Sequence, residues 1–231
     1  MFEPRYRSMD LPGVELSADL RLPANARALV IFVHGSGSGR LSPRNQYVAD
    51  VLAGRGLASL LFDLLTEPEQ RLDNLCGELR FNIPLLASRL IDVIDWVGRD
   101  RELHSLRIGL FGASTGAAAA LVAAAERAAV VNAVVSRGGR TDLAGPALPR
   151  VKAPTLQIVG AQDPVVLGLN RQSSRTLRCE QRLEVVARAT HLFEEPGTLE
   201  AVARLAGDWF EKYLHAPTPE GACSHPHTPN G

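Results

Sequence analysis

Ile108-Gly109-Leu110-Phe111-Gly112-Ala113-Ser114-Thr115-Gly116-Ala117-Ala118-Ala119-Ala120 runs from an apolar strand, through a G-x-S-x-G turn, into an alanine-rich helix. A serine at such a corner is a nucleophile elbow: the sharp, strained turn holds its hydroxyl clear of the sheet, where a base can reach it. Gly112 and Gly116 flank Ser114 at two residues on either side, where a Cβ would crowd the turn. Five-residue matches of this kind also arise by chance in Gly- and Ala-rich chains. The reading therefore needs an acid and a histidine further on, each just past a strand.

Upstream, Ala28 to Val33 is a continuous apolar run, as expected of a strand buried on both faces. It leads into His34-Gly35-Ser36-Gly37-Ser38-Gly39, a glycine loop whose backbone can approach a ligand closely. Such an H-G-x-G loop is placed to offer a backbone N–H to a developing oxyanion. The glycines fit neither G-x-G-x-x-G nor a loop ending in Gly-Lys-Ser/Thr, which argues against phosphate binding by this loop. His34 precedes the serine, and its expected task is to brace the loop.

Downstream, Val130 to Val135 reads as a strand ending in Ser136-Arg137-Gly138-Gly139-Arg140-Thr141-Asp142. Arg137 or Arg140 is a candidate for gripping a substrate carboxylate; the competing reading is a surface loop with a salt bridge to Asp142. Pro154 to Val159 is a further buried strand, and Asp163 stands just past it. Arg182 to Ala187 is the last strand, and His191 follows. The acid and the histidine that the elbow requires are thus Asp163 and His191.

The intervening segments read as helices. They are Pro43 to Gly54, a longer one capped by Asn82 with Pro84 in its first turn, Ser114 to about Glu126, Val165 to Leu177 and Thr198 to Leu214. Ile83, Leu86, Leu90, Val93 and Val97 form one apolar stripe, with Trp96 packing beside it. Glu67 to Asn82 is polar with scattered leucines and reads as loop plus a short helix. Leu57 to Phe62 is a strand ending at Asp63, a loop residue with a lesser claim to the pocket rim. Val14 to Leu22 alternates apolar and polar residues, which predicts a half-exposed strand at a sheet edge. Strands alternating with helices predict an α/β fold: a mostly parallel sheet of about seven or eight strands, helices on both faces and no large cap domain.

The 231 residues suit one α/β domain, expected over 1–215. Residues 216–231, rich in proline, predict a disordered tail, and His225 and His227 in it make only a weak case for a metal. Lys+Arg and Asp+Glu are both 25, so no basic footprint for nucleic acid is present. Cys76, Cys179 and Cys223 form no C-x-x-C pair, which leaves metal and redox motifs unsupported and suggests reduced thiols in a cytoplasm. No secretory signal or bilayer-length apolar run is visible, so no membrane partner is expected.

Ser114, Asp163 and His191 stand in the Ser…Asp…His order of α/β-hydrolases, each after a predicted strand. With His34-Gly35-Ser36-Gly37, Gly112-Ala113-Ser114-Thr115-Gly116, Gly160-Ala161-Gln162-Asp163 and Thr190-His191, the chain resembles a small dienelactone-hydrolase-like α/β-hydrolase over nearly all of residues 14 to 214. The resemblance implies an eight-stranded, mostly parallel sheet and hydrolysis of small esters or lactones. True dienelactone hydrolases carry cysteine where this chain has Ser114, a departure that favours a serine carboxylesterase. The implied site has Ser114 as nucleophile, His191 as base and Asp163 as its orienting acid. Backbone N–H groups of Ser36 and Thr115 form the implied oxyanion hole, with His34, Gly35, Arg137 and Arg140 around the substrate. No metal or organic cofactor is implied. Two alternatives share the fold: an acyltransferase using the same acyl-enzyme, and a non-catalytic binding protein.

Overall fold

The computed structural model describes residues 3–215. Its centre is an eight-stranded sheet in the order β1-β2-β4-β3-β5-β6-β7-β8. The strands are β1 (Arg5–Leu11), β2 (Val14–Arg21), β3 (Ala28–Val33), β4 (Ala58–Phe62), β5 (Arg107–Ala113), β6 (Val131–Arg137), β7 (Thr155–Gly160) and β8 (Gln181–Val186). β1 pairs antiparallel with β2, and β2 antiparallel with β4; every other pairing is parallel. β3 and β5 lie side by side in the middle, so the glycine loop after β3 and the elbow after β5 leave the same edge of the sheet.

The helices are α1 (Pro43–Gly54), α2 (Glu67–Cys76), α3 (Ile83–Val97), α4 (Thr115–Glu126), α5 (Pro164–Thr176) and α6 (Thr198–Leu214). α1 and α6 cover one face of the sheet, with Val48, Leu52, Val202 and Phe210 packed on Phe32 and Phe111. α3 and α4 cover the other, where Leu86, Leu90, Val93 and Val97 of the predicted stripe meet Leu29, Ile31 and Leu110. With apolar layers on both sides, β3 and β4 are buried along their whole length. Asn82 caps α3 as expected, its side chain accepting from the Leu85 N–H at 3.1 Å. Between β6 and β7 lies only a kinked 3₁₀ segment, Thr141–Arg150, so no cap is inserted there.

One expectation about the sheet is corrected. The strand at Val14–Arg21 is not an edge, because β1 pairs along its whole length and takes the outer position. Asp19 and Arg21 of the presumed solvent face are buried instead, because they have partners. Arg21 donates to Asp50 at 2.9 Å and to Gln46, and Asp19 lies 3.6 Å from Arg40. The tail expected over 216–231, with His225, His227 and Cys223, lies outside the described residues.

Candidate active site

Ser114 is the N-cap of α4, with φ 50° and ψ −122°. That conformation is strained for a residue with a Cβ, by about 1–3 kcal/mol, and persists only where its surroundings impose it. The surroundings are visible: the Ser114 N–H donates to the Arg137 carbonyl at 3.2 Å, and its carbonyl accepts from the Arg140 N–H at 3.0 Å. The flanking glycines are sterically required. A Cβ on Gly112 would lie 2.5 Å from Ala117 Cα, and one on Gly116 would lie 2.2 Å from the Val33 carbonyl oxygen.

Asp163 caps α5 through Oδ1, which accepts from the Val166 N–H at 3.3 Å. Its Oδ2 takes the other partner, His191 Nδ1, at 2.6 Å. A carboxylate accepts, so Nδ1 carries the proton and Nε2 is left as the basic nitrogen. The histidine loop is tied down by Glu195, whose carboxylate accepts from the Thr190 N–H at 3.1 Å and from its hydroxyl at 2.6 Å. Ser114, His191, Gly35 and Ser36 line one cleft of about 190 Å³. That is below the range of pockets for drug-sized ligands, and it suits a small substrate.

The glycine loop is braced on both sides. Buried His34 donates from Nδ1 to the Gly35 carbonyl at 2.9 Å and accepts at Nε2 from the Leu64 N–H at 3.0 Å. Burial lowers its pKa, outweighing the Gly35 hydrogen bond and the Asp63 charge, both of which raise it. Asp63 accepts from the Arg40 N–H at 2.8 Å and from Arg40 Nη1 at 3.1 Å, holding the far end of the loop. Gly35 abuts Ser114 so closely that a Cβ there would lie 3.0 Å from Ser114 Cβ. The Ser36 N–H donates to the Thr115 hydroxyl at 3.0 Å. Thr115 opens α4, so its own N–H is among the first-turn donors that have no acceptor within the helix.

The two candidate arginines separate. Arg140 forks onto Asp142 with two contacts of 2.9 Å and stands outside the cleft lining. Arg137, at the end of β6, lines the cleft beside Ser114. Arg44 and Leu192 also line it and were not singled out from sequence. Arg44 lies on α1, 70 residues before Ser114, in a segment whose only visible signal is helical spacing. Glu195 was likewise missed, because its role depends on a tight loop that no motif marks.

A mostly parallel eight-stranded sheet with a strained serine after the central strand, and an Asp–His pair after the last two strands, defines an α/β-hydrolase. The sequence pattern of the dienelactone hydrolase family matches residues 16–214, and the chain belongs to that family. A solved dienelactone hydrolase from Anabaena variabilis is 53% identical, with a TM-score of 0.90, over 92% of this chain and 99% of that one. Est1E from Butyrivibrio proteoclasticus shares the fold at 16% identity, with a TM-score of 0.76 over 93% of this chain and 100% of its own. A curated relative from Mycobacterium tuberculosis H37Rv, with the provisional name of a phosphoribosyl transferase, is 56% identical over 208 residues. Those residues are 90% of this chain and 46% of the relative, so the chain spans about half the length of the curated relatives it matches. Among the described residues, no helix is long and apolar enough to cross a membrane.

Proposed function

We propose that the protein is a serine hydrolase of small carboxylic esters or lactones, working through an acyl-enzyme on Ser114. The observation that carries this reading is the 2.6 Å contact of Asp163 with His191, which lines the same cleft as Ser114. His191 Nε2 takes the Ser114 hydroxyl proton as Oγ attacks the carbonyl carbon, and returns it to the leaving alcohol oxygen. Water then adds to the acyl carbon, giving its proton to His191, and the acid leaves as Ser114 recovers its own. Asp163 fixes the imidazole tautomer and stabilises the imidazolium. The N–H groups of Thr115 and Ser36 receive the oxyanion. The Thr115 hydroxyl, which now accepts from Ser36, either shares that donor or turns away. The provisional name of the longer relative concerns a protein about twice the aligned length, and the reading of this chain rests on its own cleft.

The test is a panel of short-chain esters and lactones, with Ser114→Ala and Asp163→Asn alongside the wild type. Ser114→Ala is expected to lose turnover and labelling by a fluorophosphonate. Retained turnover in that variant would refute the nucleophile assignment. Asp163→Asn keeps an oxygen to cap α5 but favours the wrong imidazole tautomer, so kcat is expected to fall by about four orders of magnitude with the fold intact. A silent Asp163→Asn would mean that another carboxylate holds the histidine.

A further inference from the structure

Arg137 is a buried cation that the fold leaves uncompensated. The residue is 8% exposed. Among the described residues its guanidinium forms no ion pair, and its Nη1, which is closed off from water, has no hydrogen-bond partner. Its guanidinium lies over an aromatic ring instead, with Cζ 6.0 Å from the centre of Phe111. That contact holds the guanidinium in place and satisfies none of its N–H donors. Native interiors rarely leave such donors unpaired, and a buried charge with no partner is costly. Burial and the nearby Arg44 charge lower its pKa to about 10, so it remains a cation at neutral pH.

Arg44, which also lines the cleft, repeats the pattern more mildly. Its Nε is inaccessible and unpartnered. Its Nη1 makes a single 3.3 Å contact with Glu194, an exposed carboxylate of the kind that contributes little. The cleft lining holds two guanidiniums and the hydroxyls of Ser36, Ser38 and Ser114, and it includes no carboxylate. Bringing two like charges together in a small cleft is unfavourable until a group of opposite charge enters. A carboxylate offers one charge and two oxygens, which one guanidinium fork satisfies. A phosphate monoester offers nearly two charges at neutral pH and three terminal oxygens, enough to face the guanidiniums of two separate arginines that line the cleft.

We infer that Arg137 and Arg44 form a subsite for a doubly charged oxyanion, and that the esters hydrolysed at Ser114 carry a phosphate group. The substrate half of this inference rests on the serine-hydrolase reading; the subsite itself does not.

Two experiments separate them. Butyrate esters of ethylene glycol, of 3-hydroxypropionate and of ethylene glycol phosphate form a matched series: neutral, carboxylate and phosphate. The wild type is expected to prefer the phosphate ester over both others by about tenfold or more in kcat/KM, and Arg137→Gln is expected to erase that preference. A carboxylate or neutral ester used as well as the phosphate ester would overturn the inference. Binding is read independently as the rise in Tm given by inorganic phosphate. The rise is expected in the wild type and in Ser114→Ala, and is expected to vanish in Arg137→Gln. Arg137→Lys, which keeps the charge but loses the fork, and Arg44→Gln are each expected to weaken it. A phosphate-dependent Tm in a protein that turns over no ester leaves the subsite standing and removes the hydrolase reading. Turnover of neutral esters with no phosphate effect does the reverse.

Discussion

Ser114 is held in a conformation that suits glycine better than serine. The strain is imposed by contacts made to its backbone, so it serves position rather than stability. Ser114→Gly is therefore expected to raise stability by about 1 kcal/mol, or roughly 2–4 °C in Tm, while abolishing turnover. A thermal melt that shows no gain would mean that the strain is relieved elsewhere. The G-x-S-x-G pattern made this residue legible in the sequence, because the pattern and the steric need are the same fact. The choice between Arg137 and Arg140 was not legible. Arg137 ends β6 and Arg140 lies in the loop that follows, so two residues separate an arginine lining the cleft beside Ser114 from one spent on Asp142. Which one faces inward is set by where β6 ends against β5, where Ala113 pairs with Arg137, and no local spacing records that.

Among the elements, the glycine loop after β3 is tied to its neighbour β4 through a buried side chain. His34 bridges it to the end of β4 in its neutral form, with one nitrogen donating and the other accepting. Its pKa is lowered from 6.5 in the fold, so the unfolded chain takes up a proton that the folded one resists. Its contribution is complete above about pH 6.5 and is lost as the pH falls below that value. Carboxylates such as Asp95, held below its ordinary 3.8 by the hydrogen bond from Arg127, act in the same direction but at lower pH. Chemical denaturation of the wild type is expected to show stability falling as the pH drops below about 6.5, with a shallower fall in His34→Gln. Equal slopes in the two proteins would show that His34 is not the group responsible. The bracing role of His34 was anticipated from its place in the loop. The Leu64 N–H as partner was not, since it lies 30 residues away across a parallel pairing.

For the whole molecule, the strands and helices from Val14 onward follow the sequence closely, because central parallel strands are apolar on both faces and announce themselves. β1 does not. Arg5, Arg7 and Asp10 hide its alternation, and the strand is held partly by ion pairs of Arg5 with Glu102 and of Arg7 with Asp100 and Glu102. By covering β2 it protects an apolar edge that contains Leu16, Ala18 and Leu20. Deleting residues 3–12 is expected to lower Tm and to promote self-association in light scattering, as open edges invite pairing. A shortened chain that stays monodisperse would count against that protective role.

The elbow has one more consequence. The backbone of Ser114 is fixed by the Arg137 carbonyl, the Arg140 N–H and the close approach of α4 to β3, none of which touches its γ atom. The corner is a socket indifferent to the element it presents. Exchange of oxygen for sulfur there, Ser114→Cys, is a one-atom step expected to leave the backbone of the corner as it is. Nucleophile chemistry and architecture can therefore vary as independent characters in the descent of such proteins.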